Sequence, residues 1–264
     1  MWILNLHSSI EYSDTMDKTQ AARTPGTTPA TPAANGGAAP RAVLFDAYGT
    51  LFDVYSVALT AEQLFPGRGE ALSLLWRDRQ IEYTRLVTMS APDGSRYRPF
   101  WEITRDALRF ACAKLQLTLG ADAELRLMNQ YRALSAFPEV REVLQALRQR
   151  GVTTGILSNG DPAMLDVATK SAGIGGLLDH VISVEPARAF KTDPRAYALG
   201  PAALGLPAKQ ILFVSSNGWD AIGATWYGYT TLWVNRVGAP LEQLGSEPSR
   251  IGASLRDVLA FFPA

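Results

Sequence analysis

Asp46 stands at the end of the apolar run Ala42–Phe45, with Tyr48 and Thr50 close behind and Gly49 between them. A buried parallel strand reads as continuous apolar residues followed by a turn at its carboxyl edge. Ligands of open α/β sheets collect in the crevice at those edges. Asp46 is thus a carboxylate on a rigid support, with two hydroxyls nearby. Taken alone, the segment reads better as a helix N-cap. Three later segments with polar residues at the same kind of place overturn that reading.

Ser158-Asn159-Gly160-Asp161-Pro162 follows the apolar run Thr153–Leu157. A hydroxyl, an amide and free backbone N–H groups at a helix N-terminus bind anions. Asn-Gly and Asp-Pro are also ordinary turn punctuation, and the residues alone leave both readings open. Lys191 precedes Asp193-Pro194, a helix start, where a cation opposes the helix dipole. A solvated face therefore explains it less well than usual. Beside Asp46 it would favour the ionised, nucleophilic carboxylate. The last segment, Val214 to Asp220, carries Ser216, Asn217, Trp219 and one acid, Asp220. One carboxylate beside Asp46 is a poor magnesium cage, since that ion demands octahedral oxygen ligation. Trp219 within this polar turn would otherwise read as a core plug. Arg77, next to Trp76 on an amphipathic stretch, would ordinarily be a snorkelling surface residue.

Composition narrows the chemistry. Lysine plus arginine and aspartate plus glutamate number 25 each, so neither nucleic acid nor an anionic membrane is an expected partner. Cys112 is the single cysteine, which excludes an internal disulfide, and its amphipathic setting marks a buried small hydrophobe. With only His7 and His180, a histidine zinc site or a Ser-His triad is nearly excluded. No metal and no cofactor are expected. Carboxylates, lysine, arginine and hydroxyls must do the work.

The elements that hold these residues follow from the patterning. Residues 1–40 read as a disordered low-complexity extension, rich in Pro, Ala, Gly and Thr from Thr24 to Pro40. Trp2–Leu6 is too short for a membrane span or a secretory core, and the protein is expected in the cytoplasm. Helical periodicity fills Ala58–Phe65, Gly69–Met89, Phe100–Leu117 and Ala121–Leu134, with no strand candidate between Leu51 and Phe137. Such an insert is a second subdomain and not a crossover. From Phe137 onward strands and helices alternate, as in a doubly wound parallel sheet. The expected fold is α/β: a doubly wound, Rossmann-like core over 41–55 and 136–264, with a helical subdomain over 56–135.

The string from Asp46 to Val57, D-A-Y-G-T-L-F-D-V-Y-S-V, resembles the haloacid dehalogenase superfamily, and within it the type II L-2-haloacid dehalogenases. The resemblance continues through Leu75-Trp76-Arg77 with Glu82-Tyr83, through Ser158-Asn159, Lys191 and Tyr197, and through Ser215-Ser216-Asn217-Gly218-Trp219-Asp220. Phosphatases of the superfamily carry a second acid two residues after the first, where this chain has Tyr48. The resemblance implies that Asp46 attacks C2 of a short 2-haloacid with inversion, giving an aspartyl ester. It implies that Arg77 with Asn217 receives the halide, that Lys191 and Asp220 position or activate water, and that Thr50 and Ser216 complete the catalytic group. Ser158 and Asn159 would hold the substrate carboxylate. Tyr48, Trp219, Ile81 and Phe100 would wall the pocket, with Tyr197 also at the substrate site and orienting the lysine. The helical subdomain over 56–135 is implied to be a cap over the site, and a homodimer is implied by analogy. A magnesium-dependent phosphatase and a catalytically silent carboxylate-binding member are the alternatives. Arg85 stands where the family commonly has an aromatic, and the Met89–Pro99 linker is longer than usual; both bear on substrate range.

Overall fold

The computed structural model describes residues 39–263. Of the extension read over 1–40, residues 1–38 lie outside the described residues, and His7 with them. Ala42–Phe45 forms β1, buried at every position, which is why the strand can be wholly apolar. Four helices follow directly: α1 (Val57–Leu64), α2 (Gly69–Ser90), α3 (Phe100–Lys114) and α4 (Ala121–Arg132). The chain enters and leaves this group side by side. Asp53 N–H donates to the Ser135 carbonyl at 2.8 Å, and Phe137 N–H to that of Leu51 at 3.0 Å.

Alternation then begins with α5 (Val140–Gln149), β2 (Thr153–Ser158), α6 (Pro162–Ser171) and β3 (His180–Ser183). It ends with α7 (Pro194–Leu204), β4 (Ile211–Ser215), α8 (Gly218–Tyr227), β5 (Thr230–Val234) and β6 (Arg250–Gly252). The six strands lie in the order β3-β2-β1-β4-β5-β6, and every pair is parallel. This is the doubly wound α/β sheet that the alternation predicts. Strand order reverses at β1, whose neighbours are β2 and β4, and such a reversal opens a crevice at the carboxyl ends. Asp46, Ser158 and Ser215 end or follow those three strands.

Local chemistry sets the boundaries. Gly151 stops α5 at φ +67°, where only glycine is unstrained. Asp161 caps α6 by accepting from the Met164 N–H at 3.0 Å, with Pro162 as the first helical residue. Helices α3 and α4 end a few residues earlier than the patterning gives, at Lys114 and Arg132, and two elements differ further. Helix α8 starts at Gly218 and not Ala221, because the polar turn Gly218-Trp219-Asp220 is itself the first helical turn. Strand β6 is three residues long and largely exposed, with no apolar run to mark it.

The helices from α1 to α4 form a cap that shares one core with the sheet. Trp76, Phe100 and Tyr131 are buried, and the Trp76 indole donates to the Thr104 carbonyl at 2.8 Å. The Tyr131 ring lies 5.1 Å from that of Trp76 and 5.8 Å from that of Tyr48, so the cap seats on the loop that carries Asp46. Burial of side chains this large contributes roughly 1.5–3 kcal/mol each. Cys112 is buried in α3, and burial pushes its thiol up to about 11, which suits the packing role read from its setting.

Candidate active site

Asp46 is the centre of the crevice. Its main chain stays in register with the sheet, N–H donating to the Val214 carbonyl at 2.8 Å. Its Oδ2 accepts from the Thr50 hydroxyl and from Asn217 Nδ2, each at 2.9 Å. Its Oδ1 accepts from Lys191 Nζ at 3.2 Å. Thr50 is held in turn, since its hydroxyl accepts from the Ser216 N–H at 2.8 Å. A carboxylate with three donors and a fixed backbone is preorganised, which is what a nucleophile on a rigid strand needs.

Lys191 is fully buried and spans two carboxylates, donating also to Asp220 Oδ2 at 3.1 Å. Its ammonium lies 4.7 Å from the centre of the Phe213 ring. Lys191 is placed by its own N–H, which donates to Asn159 Oδ1 at 2.9 Å. Asp220 sits in the first turn of α8, and the Tyr197 hydroxyl donates to its Oδ1 at 2.7 Å. Burial raises the Asp220 carboxyl above the ordinary carboxylate value, while the Lys191 ammonium and the Tyr197 hydrogen bond pull it back. Asp220 is therefore an ionisable group suited to take a proton from water.

Arg77 reaches in from α2 and is 8% exposed, so it is no snorkelling surface residue. Nη1 donates to Gln80 Oε1 at 2.7 Å, and Nη2 to the Tyr48 carbonyl at 3.0 Å and Asn217 Oδ1 at 3.3 Å. Neither nitrogen meets a carboxylate, which leaves a full positive charge over the nucleophile. Asp46, Tyr48, Arg77, Ile81, Phe100, Ser158, Asn159 and Trp219 line a small inner cavity. The Tyr48 hydroxyl is buried there and has no partner. Burial lifts its phenol well above the ordinary tyrosine value, so it is a neutral donor. The inner cavity measures about 10 Å³, room for about one water, whereas the cleft outside it measures about 750 Å³. Arg77, Ile81, Asn217 and Trp219 border the outer cleft as well.

Three assignments from the sequence change. Tyr197 is wholly buried and bonds Asp220, so it is absent from the cavity lining and reaches Lys191 only through the carboxylate that both bond. Ser216 turns its hydroxyl to the Arg236 guanidinium, away from Asp46, and only its N–H serves the site, through Thr50. Asn217 spends its amide donor on Asp46 and on the Tyr48 carbonyl at 3.1 Å; it fixes the nucleophile, and Arg77 carries the cationic charge of the pocket.

Several partners escape sequence reading. Gln80 is fully buried; its Oε1 accepts from Arg77 and from the Tyr131 hydroxyl at 3.0 Å, and its Nε2 donates to Thr104 Oγ1 at 2.6 Å. Its position three residues after Arg77 was the available signal. Arg236 donates to the Thr50 carbonyl at 3.1 Å and to Glu139 Oε1 at 2.9 Å, and no local pattern links those positions. Asp161 uses its second oxygen to accept from the Trp101 N–H at 3.0 Å, joining α6 to the first turn of α3. Among the described residues no three His, Cys, Asp or Glu side chains converge to hold a metal ion. No described helix is long and apolar enough to cross a membrane.

Residues 40–228 match the family model of haloacid dehalogenase-like hydrolases. An (S)-2-haloacid dehalogenase of Pseudomonas sp. (strain YL) is 44% identical over 222 residues, covering 84% of this chain and 94% of that protein. The crystal structure of the L-2-haloacid dehalogenase RSc1362 is 62% identical, with a TM-score of 0.84, covering 86% of this chain and 100% of that one. The Xanthobacter autotrophicus L-2-haloacid dehalogenase with chloropropionic acid covalently bound is 34% identical, with a TM-score of 0.78, covering 85% of this chain and 100% of that one.

Proposed function

The chain belongs to the haloacid dehalogenase-like hydrolases, and from that premise we propose that it hydrolyses short-chain (S)-2-haloacids to (R)-2-hydroxyacids and halide. One observation carries the reading: Lys191 lies buried between Asp46 and Asp220, beneath a cap arginine that no carboxylate neutralises. The substrate carboxylate is met by Ser158, Asn159 and the unpartnered Tyr48 hydroxyl. Asp46 Oδ1 attacks C2 in line, the carbon–halogen bond breaks with inversion, and the halide leaves toward Arg77. Oδ2, with Thr50 and Asn217 donating to it, becomes the carbonyl oxygen of the aspartyl ester. Those donors then stabilise the oxyanion when water attacks that carbonyl carbon. Asp220 takes the water's proton, steadied by Lys191 and Tyr197. A halide needs no protonation to depart, so Tyr48 is tolerated where an acid would serve phosphoryl transfer.

This reading takes 41–55 and 136–264 as the catalytic core and 56–135 as the cap. It extends to a cytoplasmic homodimer, in which the exposed Leu59, Leu74, Leu86 and Met89 of α1 and α2 supply an apolar surface for pairing. Light scattering tests the dimer and cell fractionation the location. The reaction is tested by halide release from L- and D-2-chloropropionate with EDTA present. Release from the L-isomer alone is expected. Silence there, with phosphate release from p-nitrophenyl phosphate and magnesium, would make the protein a phosphatase.

A further inference from the structure

The outer cleft carries a second arginine that the reaction scheme does not use. Arg85 lies about 12 Å beyond Arg77 along α2, at the rise of an α-helix. Its side chain is exposed, and its guanidinium carbon stands 5.2 Å from the centre of the Trp219 ring. Trp219 walls both the outer cleft and the inner cavity. Arg85 also borders an adjoining groove of about 290 Å³ that reaches Thr192. Among the described residues Arg85 forms no ion pair.

The charges around it make that cation matter. Asp78, Glu82 and Glu242 face the same cleft. Glu82 is paired with Arg79 at 2.5 Å, whereas Asp78 and Glu242 have no ion pair among the described residues. Arg77 is buried and hydrogen-bonded within. Without Arg85 the exposed mouth would carry the unpaired carboxylates of Asp78 and Glu242 with no exposed cation lining the cleft to offset them, and would repel an anion. The chain's formal net charge is zero, so attraction of an anion from solution has to be local.

We propose that Arg85 is the capture residue for the carboxylate of the incoming substrate. This rests on the reading of the substrate as an anionic 2-haloacid. The cation–π contact with Trp219 holds the guanidinium at the mouth, with its N–H donors available for a planar carboxylate. The acid then passes along the Trp219 ring toward Arg77. The residue governs substrate capture and not the chemical step.

The test uses propionate, a carboxylate with no leaving group, so that binding is read without turnover. It is titrated calorimetrically into the full chain and into its Arg85→Gln and Arg85→Lys variants, at about 20 mM and about 200 mM salt, which brackets strong and weak screening. Wild-type affinity is expected to weaken severalfold with salt. Arg85→Gln is expected to bind roughly three- to tenfold more weakly at low salt, with a flattened salt slope. Arg85→Lys keeps the charge and should keep the slope. With L-2-chloropropionate, Arg85→Gln should raise KM more than it lowers kcat. Equal binding by Arg85→Gln and wild type at both salts would overturn the proposal, as would a lysine variant no better than glutamine. Propionate binding by a wild type that releases no halide would sink the dehalogenase reading alone, and the salt slopes would still decide the role of Arg85. No propionate binding by the wild type would overturn the role of Arg85, and halide release would still decide the dehalogenase reading.

Discussion

The Tyr197 hydroxyl donates to Asp220 Oδ1 at 2.7 Å, the carboxylate oxygen that Lys191 leaves free. Asp220 must be ionised to accept a proton from water, and burial already raises its carboxyl. Activity is therefore expected above the ordinary carboxylate range and lost as pH falls through the raised value. Tyr197 opposes that rise by hydrogen-bonding the charged form. Removing its hydroxyl in Tyr197→Phe lets the carboxyl climb further, so the acidic limb of kcat should move to higher pH. A limb that stays in place, or moves down, would separate Tyr197 from Asp220. Tyr229 donates to the Tyr197 carbonyl at 2.6 Å and is untouched by the change, so the ring should stay seated.

The two carboxylates on Lys191 should fail differently. Asp46→Asn removes the nucleophile, and neither halide release nor a covalent adduct is expected. Asp220→Asn leaves the attack on C2 intact and removes the proton acceptor for hydrolysis. It should release about one halide per chain and then stall, with the chain heavier by the substrate's carboxyalkyl group. Rapid-quench halide assay and intact-chain mass measurement check both. A stoichiometric burst from Asp46→Asn, or multiple turnovers by Asp220→Asn, would break the assignment.

Much of this site was legible because strand ends are local. Asp46, Ser158 and Ser215 each follow an apolar run, and a parallel sheet must bring such ends to one edge. Arg77 was legible only through the string around it, because nothing in an amphipathic helix says which arginine turns inward. Tyr197 and Ser216 were misplaced for a related reason. Sequence order puts them beside site residues but does not say where a side chain points: Ser216 faces Arg236 across a turn, and Tyr197 passes beneath Asp220. Arg236 and Glu139 are 97 positions apart and meet where the turn after β5 and the segment leading into α5 both bond the loop after β1. Strand β6 lacked any apolar run, since an exposed edge strand needs none.

Gln80 gives the sharpest test of how the cap serves the chemistry. Its carbonyl accepts from Arg77 at 2.7 Å and from Tyr131 at 3.0 Å, all within a buried region. An amide can anchor the guanidinium without cancelling its charge. Gln80→Leu fills similar volume but orphans both donors, and should cost about 2–4 kcal/mol of stability. Calorimetry should show a lowered Tm, and kcat should fall about tenfold as Arg77 loses its anchor. The acidic limb should not move, because Asp220 keeps its partners. Gln80→Glu is the complementary change. It restores the acceptor and should recover most of the lost Tm, but its carboxylate would neutralise Arg77 and repel the substrate anion. A glutamate variant that is stable yet has a strongly raised KM is the expected result. Wild-type kinetics in that variant would mean that the charge of Arg77 is not what the cap contributes.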